Sequence, residues 1–131
     1  MAGAEQHDYL VLYGSLKRGF PDRAELGIED SLEYEGPCSF EGTLFDLGDY
    51  PGAHPGRGMV RGELYQILDR DVLRVLDTFE HFDPASPDTS LYLRTCIRLY
   101  QPPSDAWVYF LRERPRASVI DSGVWTHPSV G

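Results

Sequence analysis

The sequence is short of the features that mark membranes, disulfide scaffolds and metal centres. Its early apolar run, Tyr9–Tyr13, follows Glu5 and Asp8 and is brief. A signal peptide needs a basic start and a longer apolar core, and a membrane-spanning helix needs more still, so neither is expected. There are only two cysteines, Cys38 and Cys96, both in strand-like stretches. They read as small buried hydrophobes kept reduced in a cytoplasmic protein, although a disulfide between them stays open at this point. The four histidines (His7, His54, His81 and His127) are scattered without metal-ligand spacing, so no metal is expected. Basic charge is also scarce, 12 Lys and Arg against 21 Asp and Glu, for a formal net charge of −9. Such a chain repels nucleic acid and anionic membrane, which excludes both as expected partners while leaving room for a local basic patch that binds a small anion.

What is present describes a small folded domain. The 131 residues suffice for one core, and 41% apolar content is that of a globular protein rather than a disordered one. Residues 1–7 read as a loose leader, 8–114 as the domain and 115–131 as an irregular tail with an ordered segment around Val124-Trp125. Asp8–Tyr13 is a buried strand that runs into the loop Gly14–Gly19. A helix is expected from Asp22, as its cap, to about Leu32, with the acidic cluster Glu25, Glu29, Asp30 and Glu33 on a solvated face. Cys38–Leu47 and Met59–Leu68 read as strands, and Gly48–Gly58, rich in glycine and proline, as the surface loop between them. Asp69 can cap a second helix, whose Val72, Val75, Leu76 and Phe79 recur at helical spacing, and Asp83-Pro84 ends it. After the loop Pro84–Ser90, Leu91–Tyr100 alternates as a strand and pairs as a hairpin with Ala106–Arg112. The order β, α, β, β, α, β, β predicts an α+β fold, a mixed and mostly antiparallel sheet with helices against it. Spacing alone does not decide whether that sheet closes into a barrel.

Two features can carry chemistry. At Tyr13-Gly14-Ser15-Leu16 a buried strand breaks at a glycine, so successive backbone N–H groups can point into one concavity and suit a carboxylate or an oxyanion. Many strands end in glycine for chain reversal alone, which is the bland alternative. Glu80 lies at the border of the second helix's apolar stripe, flanked by Phe79 and Phe82. Apolar neighbours strip hydration from a carboxylate and raise its pKa toward the range of a general base, whereas an exposed helix-end glutamate is the ordinary reading. Ser15 lacks the Gly-x-Ser-x-Gly setting of a nucleophile, and Gly14–Gly19 lacks the Gly-Lys-Ser/Thr ending of a phosphate loop.

Together these features resemble the gamma-glutamylcyclotransferase-like family. Tyr13-Gly14-Ser15-Leu16 is similar to its Tyr-Gly-Ser/Thr-Leu signature, and Leu76-Asp77-x-x-Glu80 to its Leu-Asp-x-x-Glu helix motif. Gly42–Leu47 with Tyr50-Pro51, Val60-x-Gly62-Glu63-Leu64-Tyr65, Tyr92-x-Arg94 and Val108-Tyr109 match in the same order, from Leu10 to about Phe110. The resemblance implies a small mixed barrel with flanking helices. It also implies an enzyme that releases 5-oxoproline and a free amine from a small gamma-glutamyl compound, with no metal or organic cofactor. Glu80 would be the catalytic acid–base, Tyr13, Gly14, Ser15, Leu16 and Tyr109 the substrate-binding residues, with Tyr92, Arg94 and His81 as further candidates. Two positions depart from the family: His81 stands where glycine often follows the glutamate, and Asp22 where an asparagine often follows the first motif. A non-catalytic module that binds a small carboxylate on the same fold is the alternative, and an adaptor using the acidic face around Glu25–Glu35 ranks behind it. The walls that read the leaving amine are expected in Gly48–Gly58 and Pro84–Ser90. The residues carry no signature of oligomeric state.

Overall fold

The computed structural model describes residues 9–14, 16–17 and 21–126. The expected leader, Ser15 and His127 therefore lie outside the described residues. Six strands form one curled, mostly antiparallel sheet: β1 (Tyr9–Leu12), β2 (Leu32–Asp46), β3 (Pro51–Ile67), β4 (Tyr92–Arg98), β5 (Asp105–Leu111) and β6 (Ser118–Val119). Their spatial order is β4-β5-β1-β3-β2-β6. Two helices accompany the sheet, α1 (Pro21–Leu26) and α2 (Val72–Phe79).

β1 sits between two neighbours, antiparallel to β3 through Leu10↔Tyr65 and parallel to β5 through Leu10↔Trp107. Both of its faces are covered, which explains why Leu10, Val11 and Leu12 are all buried and why the sequence there runs apolar instead of alternating. β2 and β3 make a long hairpin whose register slips between Tyr34 and Gly36 and again between Glu41 and Thr43. Such bulges bend a strand and increase its twist. The bend brings the start of β3 to β5 at Ala53↔Phe110, while the far end of β3 pairs with β1. β5 thus touches both β1 and β3, and the sheet curls toward a barrel as the sequence resemblance implies.

The core follows the two faces of β1. Leu10 and Leu12 pack with Tyr65, Val72, Leu73 and Leu76 beneath α2. Val11 and Tyr13 pack on the other side with Phe40, Val60, Val108 and Phe110, where Phe40 meets Phe110 edge-on at 5.7 Å. The two cysteines are free thiols, Cys38 buried and Cys96 half-buried. No helix among the described residues is long and apolar enough to cross a membrane.

Three expectations need correction. The segment Gly48–Gly58 is a tight turn followed by the first half of β3, with Leu44↔Ala53 and Phe45↔Gly52 in register. Its glycines serve packing as well as turning: a Cβ on Gly52 would lie 2.4 Å from Leu111 Cδ1. The first helix stops at Leu26 because Gly27 adopts a left-handed φ of 70°; a short 3-10 turn, Glu29–Ser31, leads into β2, which starts at Leu32 and not at Cys38. The buried stripe of α2 is also rotated, with Val72, Leu73, Leu76 and Asp77 inside and Val75 42% exposed. The acidic residues Glu25, Glu29, Asp30 and Glu33 are exposed, as expected. The segment after β5 joins the sheet through Phe45↔Val119 and buries Trp125.

Candidate active site

The end of α2 sets the site. At about 100° per residue, a stripe made by Val72, Leu73, Leu76 and Asp77 centres on the direction in which Glu80 also points. Glu80 therefore belongs to the inner face of the helix rather than its border. It closes α2 as its C-cap, donating its backbone N–H to Leu76 O at 2.8 Å. The next two residues complete a left-handed helix ending: His81 N–H donates to Thr78 O at 3.2 Å and Phe82 N–H to Asp77 O at 2.8 Å, with His81 at φ 56°. This accounts for the departure at His81, since the backbone there adopts the conformation that glycine adopts freely and a β-carbon opposes. His81→Gly is expected to stabilise the fold by roughly 1 kcal/mol in a denaturant melt. A lower midpoint for the glycine variant would mean instead that the imidazole's contacts outweigh the backbone strain.

Glu80 faces a cavity of about 350 Å³. The residues around it come from five places in the chain: Val11–Gly14 and Leu16 at the end of β1, Asp49–Pro51 at the start of β3, Phe79–His81, Leu91-Tyr92 and Tyr109. Gly14 is needed for closure, because a Cβ there would meet Pro51 Cγ at 2.9 Å. Surrounding protein deprives the Glu80 carboxyl of water and pushes its pKa up to about 8, with desolvation as the cause. The residue keeps some solvent access, which it has through the cavity.

Three tyrosines form the rigid wall. Tyr13 Oη donates to Tyr109 O at 2.7 Å and accepts from Ala53 N–H at 2.9 Å. Tyr92 Oη donates to Pro51 O at 2.6 Å, tying β4 to the first residue of β3. Tyr109 Oη donates to Asp77 Oδ1 at 2.5 Å. Burial raises the pKa of all three phenols, and the Glu80 carboxylate raises them further, so they remain protonated donors.

Of the residues expected from the sequence, Tyr13, Gly14, Leu16, Glu80, His81, Tyr92 and Tyr109 are brought together around this cavity. Ser15 falls outside the described residues. Arg94 does not line the cavity; its Nε and Nη2 donate to the two oxygens of Asp77 at 2.8 and 3.1 Å, and its guanidinium lies 4.6 Å from the Trp107 ring centroid. Asp77 is the residue that sequence reasoning passed over. Its signal was its place in Leu76-Asp77-x-x-Glu80, one turn before the glutamate and on the same helix face. Of the two expected specificity segments, the first contributes Asp49, Tyr50 and Pro51, while no residue of Pro84–Ser90 lines this cavity. A buried guanidinium also braces the loop from behind: Arg23 Nη1 donates to Leu16 O at 3.2 Å and to Tyr65 Oη at 2.9 Å. Among the described residues, no group of three His, Cys, Asp or Glu is arranged to hold a metal.

Known proteins share both fold and sequence with this chain. Residues 10–127 match the family described as "Gamma-glutamyl cyclotransferase, AIG2-like". A Vibrio cholerae protein named "Putative gamma-glutamylcyclotransferase" is 34% identical over 118 residues, covering 88% of this chain and 93% of its own. The solution structure of ytfP from Escherichia coli superposes with a TM-score of 0.63 at 33% identity, over 89% of this chain and 95% of that one. The crystal structure of a mouse AIG2-like protein gives a TM-score of 0.67 at 23% identity, covering 94% and 97%, and shares the fold. With the strand-end loop and the helix-end glutamate meeting at one cavity inside this shared fold, the chain belongs to the AIG2-like gamma-glutamyl cyclotransferase family.

Proposed function

We propose that the protein is a cyclotransferase that converts a small gamma-glutamyl compound into 5-oxoproline and a free amine. The observation that carries this reading is the desolvated Glu80 carboxyl, with a pKa near 8, opening on the same cavity as Tyr13, Gly14 and Leu16. In the proposed reaction the substrate's α-amine attacks its own γ-carbonyl. A bond forms between the α-nitrogen and the γ-carbon, and the bond from that carbon to the leaving nitrogen breaks. Nucleophile and electrophile belong to one molecule, so the protein has to fold the substrate and move protons. Glu80 takes a proton from the α-ammonium and delivers it to the departing amine, and the second proton that the α-nitrogen loses on ring closure goes to solvent or to the released amine. Backbone N–H groups of the Tyr13–Leu16 loop receive the α-carboxylate and the developing oxyanion, which makes the bend at Gly14 matter more than the side chains around it.

The test is mass-spectrometric detection of 5-oxoproline after incubation with a panel of gamma-glutamyl amino acids, peptides and amines. Catalytic release from at least one member is the expected result. Ligand-induced thermal stabilisation with no product from any member would overturn the enzymatic reading in favour of a carboxylate-binding module.

A further inference from the structure

The Glu80 cavity has a neighbour. Tyr50 and Leu91, each 40% exposed, line it on one side and also line a second groove of about 390 Å³. That groove continues past Leu47 and Ser90 to the segment after β5, where Arg112, Glu113 and Arg114 border it. The two compartments therefore adjoin at Tyr50 and Leu91.

Their charges are opposed. The described ionisable residues lining the cavity are Glu80, Asp49, His81 and the tyrosines, with no lysine or arginine among them. The groove has two guanidiniums and one carboxylate. Arg112 is committed, with Nε donating to Ser90 O at 2.9 Å and Nη1 paired with Glu113 at 3.2 Å. Arg114 is different: its guanidinium rests 4.9 Å from the centroid of the buried Phe45 ring and, among the described residues, makes no hydrogen bond or ion pair. In a chain of net charge −9, a cation steadied by an aromatic ring and left without a carboxylate is a ready acceptor for an anion.

We propose that this groove is the seat of the leaving group and that it selects a leaving amine carrying a carboxylate, as in a gamma-glutamyl amino acid or short peptide, with Arg114 as the carboxylate's partner. The inference rests on the cyclotransferase reading, which puts the glutamyl half beside Glu80. The charges support it. Such a substrate carries an α-ammonium and an α-carboxylate at the glutamyl end and a second carboxylate on the leaving group. In the proposed reading Glu80 serves the ammonium, the Tyr13–Leu16 backbone the first carboxylate and the Arg114 guanidinium of the adjoining groove the second.

The test compares gamma-glutamyl-alanine with gamma-glutamyl-alaninamide, which differ in that carboxylate alone. Calorimetric binding to the Glu80→Gln protein is measured together with 5-oxoproline release by the parent. The acid is expected to bind three- to tenfold more tightly than the amide, the range of a partly exposed charge-assisted pair. Arg114→Gln should erase that ratio through KM rather than kcat, Arg114→Lys should keep part of it, and Arg114→Glu should invert it. Arg114 is exposed, so these variants leave the core intact. Equal binding of acid and amide, or a preference that survives Arg114→Gln, would overturn the inference, and so would binding of neither compound. A preference in binding without any 5-oxoproline from the parent would retain the groove and reject the reaction, whereas release from both compounds without preference would do the reverse.

Discussion

Replacing Glu80 by glutamine is expected to lower kcat for 5-oxoproline release by about 10²- to 10⁴-fold, the range that one positioned acid–base group contributes, while leaving the protein folded. The amide keeps the shape of the side chain and removes only its capacity to carry the proton. The parent's kcat/KM should rise with pH along a limb near pH 8, because the base must be ionised and burial holds its proton to about that value. The same substitution should act on stability in the opposite sense. A carboxyl with a pKa near 4.5 in the unfolded chain and about 8 in the fold binds more protons when folded between those values. Stability is therefore lost as pH rises through that window, and above it the folded protein carries the full penalty of a desolvated charge. At about 1.4 kcal/mol per pKa unit the ceiling is near 5 kcal/mol, and access to solvent through the cavity reduces it to on the order of 2 kcal/mol. Glu80→Gln should thus melt at a higher temperature than the parent at pH 9 and at nearly the same temperature at pH 4. A variant with undiminished turnover would reject Glu80 as the base. Equal melting of both proteins at pH 9 would show that the carboxyl is not desolvated.

The second large effect is expected at Asp77. Its two oxygens receive Arg94 Nε and Nη2 and Tyr109 Oη, which joins α2 to β4 and β5 with three bonds at one carboxylate. Asp77 and Arg94 expose only 9% and 17% of their side chains. Asp77→Ala leaves a guanidinium enclosed by Trp107 and Phe82 without its counter-charge, and a buried phenol without its acceptor. Removing one partner of such a pair costs about 3 to 5 kcal/mol, read as a lower midpoint in a urea titration. Turnover should fall too at denaturant-free conditions, since Asp77 fixes the turn of helix that carries Glu80. A loss below about 1 kcal/mol would mean that the pair behaves as an exposed one and does not anchor the helix.

How far the site was legible depended on what each residue reports locally. Glu80 and the bend at Gly14 stand in short motifs, and both are where the motifs suggested. The side that Glu80 faces was less legible, because Val75 is as apolar as Leu73 and periodicity alone does not say which of them the sheet covers. Asp77 looked like an ordinary helix acid, since its partners Arg94 and Tyr109 are supplied by strands far along the chain. The segment Gly48–Gly58 misled for a related reason. Glycine signals a turn when backbone conformation demands it, but Gly52 is required by the approach of Leu111, a contact that no local pattern displays. The sequence placed the end of α2 at Asp83-Pro84, but the helix stops at Phe79, and only φ at His81 reveals why and what the departure there means.

The hydrogen bond from Tyr13 to the carbonyl of Tyr109 spans 96 positions of the chain, and the strand that accepts it pairs with both β1 and β3. A cavity closed by so distant a contact exists only once the last hairpin has docked, and loop-closure entropy makes such docking late and slow. During refolding, helix and hairpin signals should therefore precede any catalytic signal. A fragment that ends before β5 carries both sequence motifs and Glu80, yet it has no enclosed chamber in which to use them.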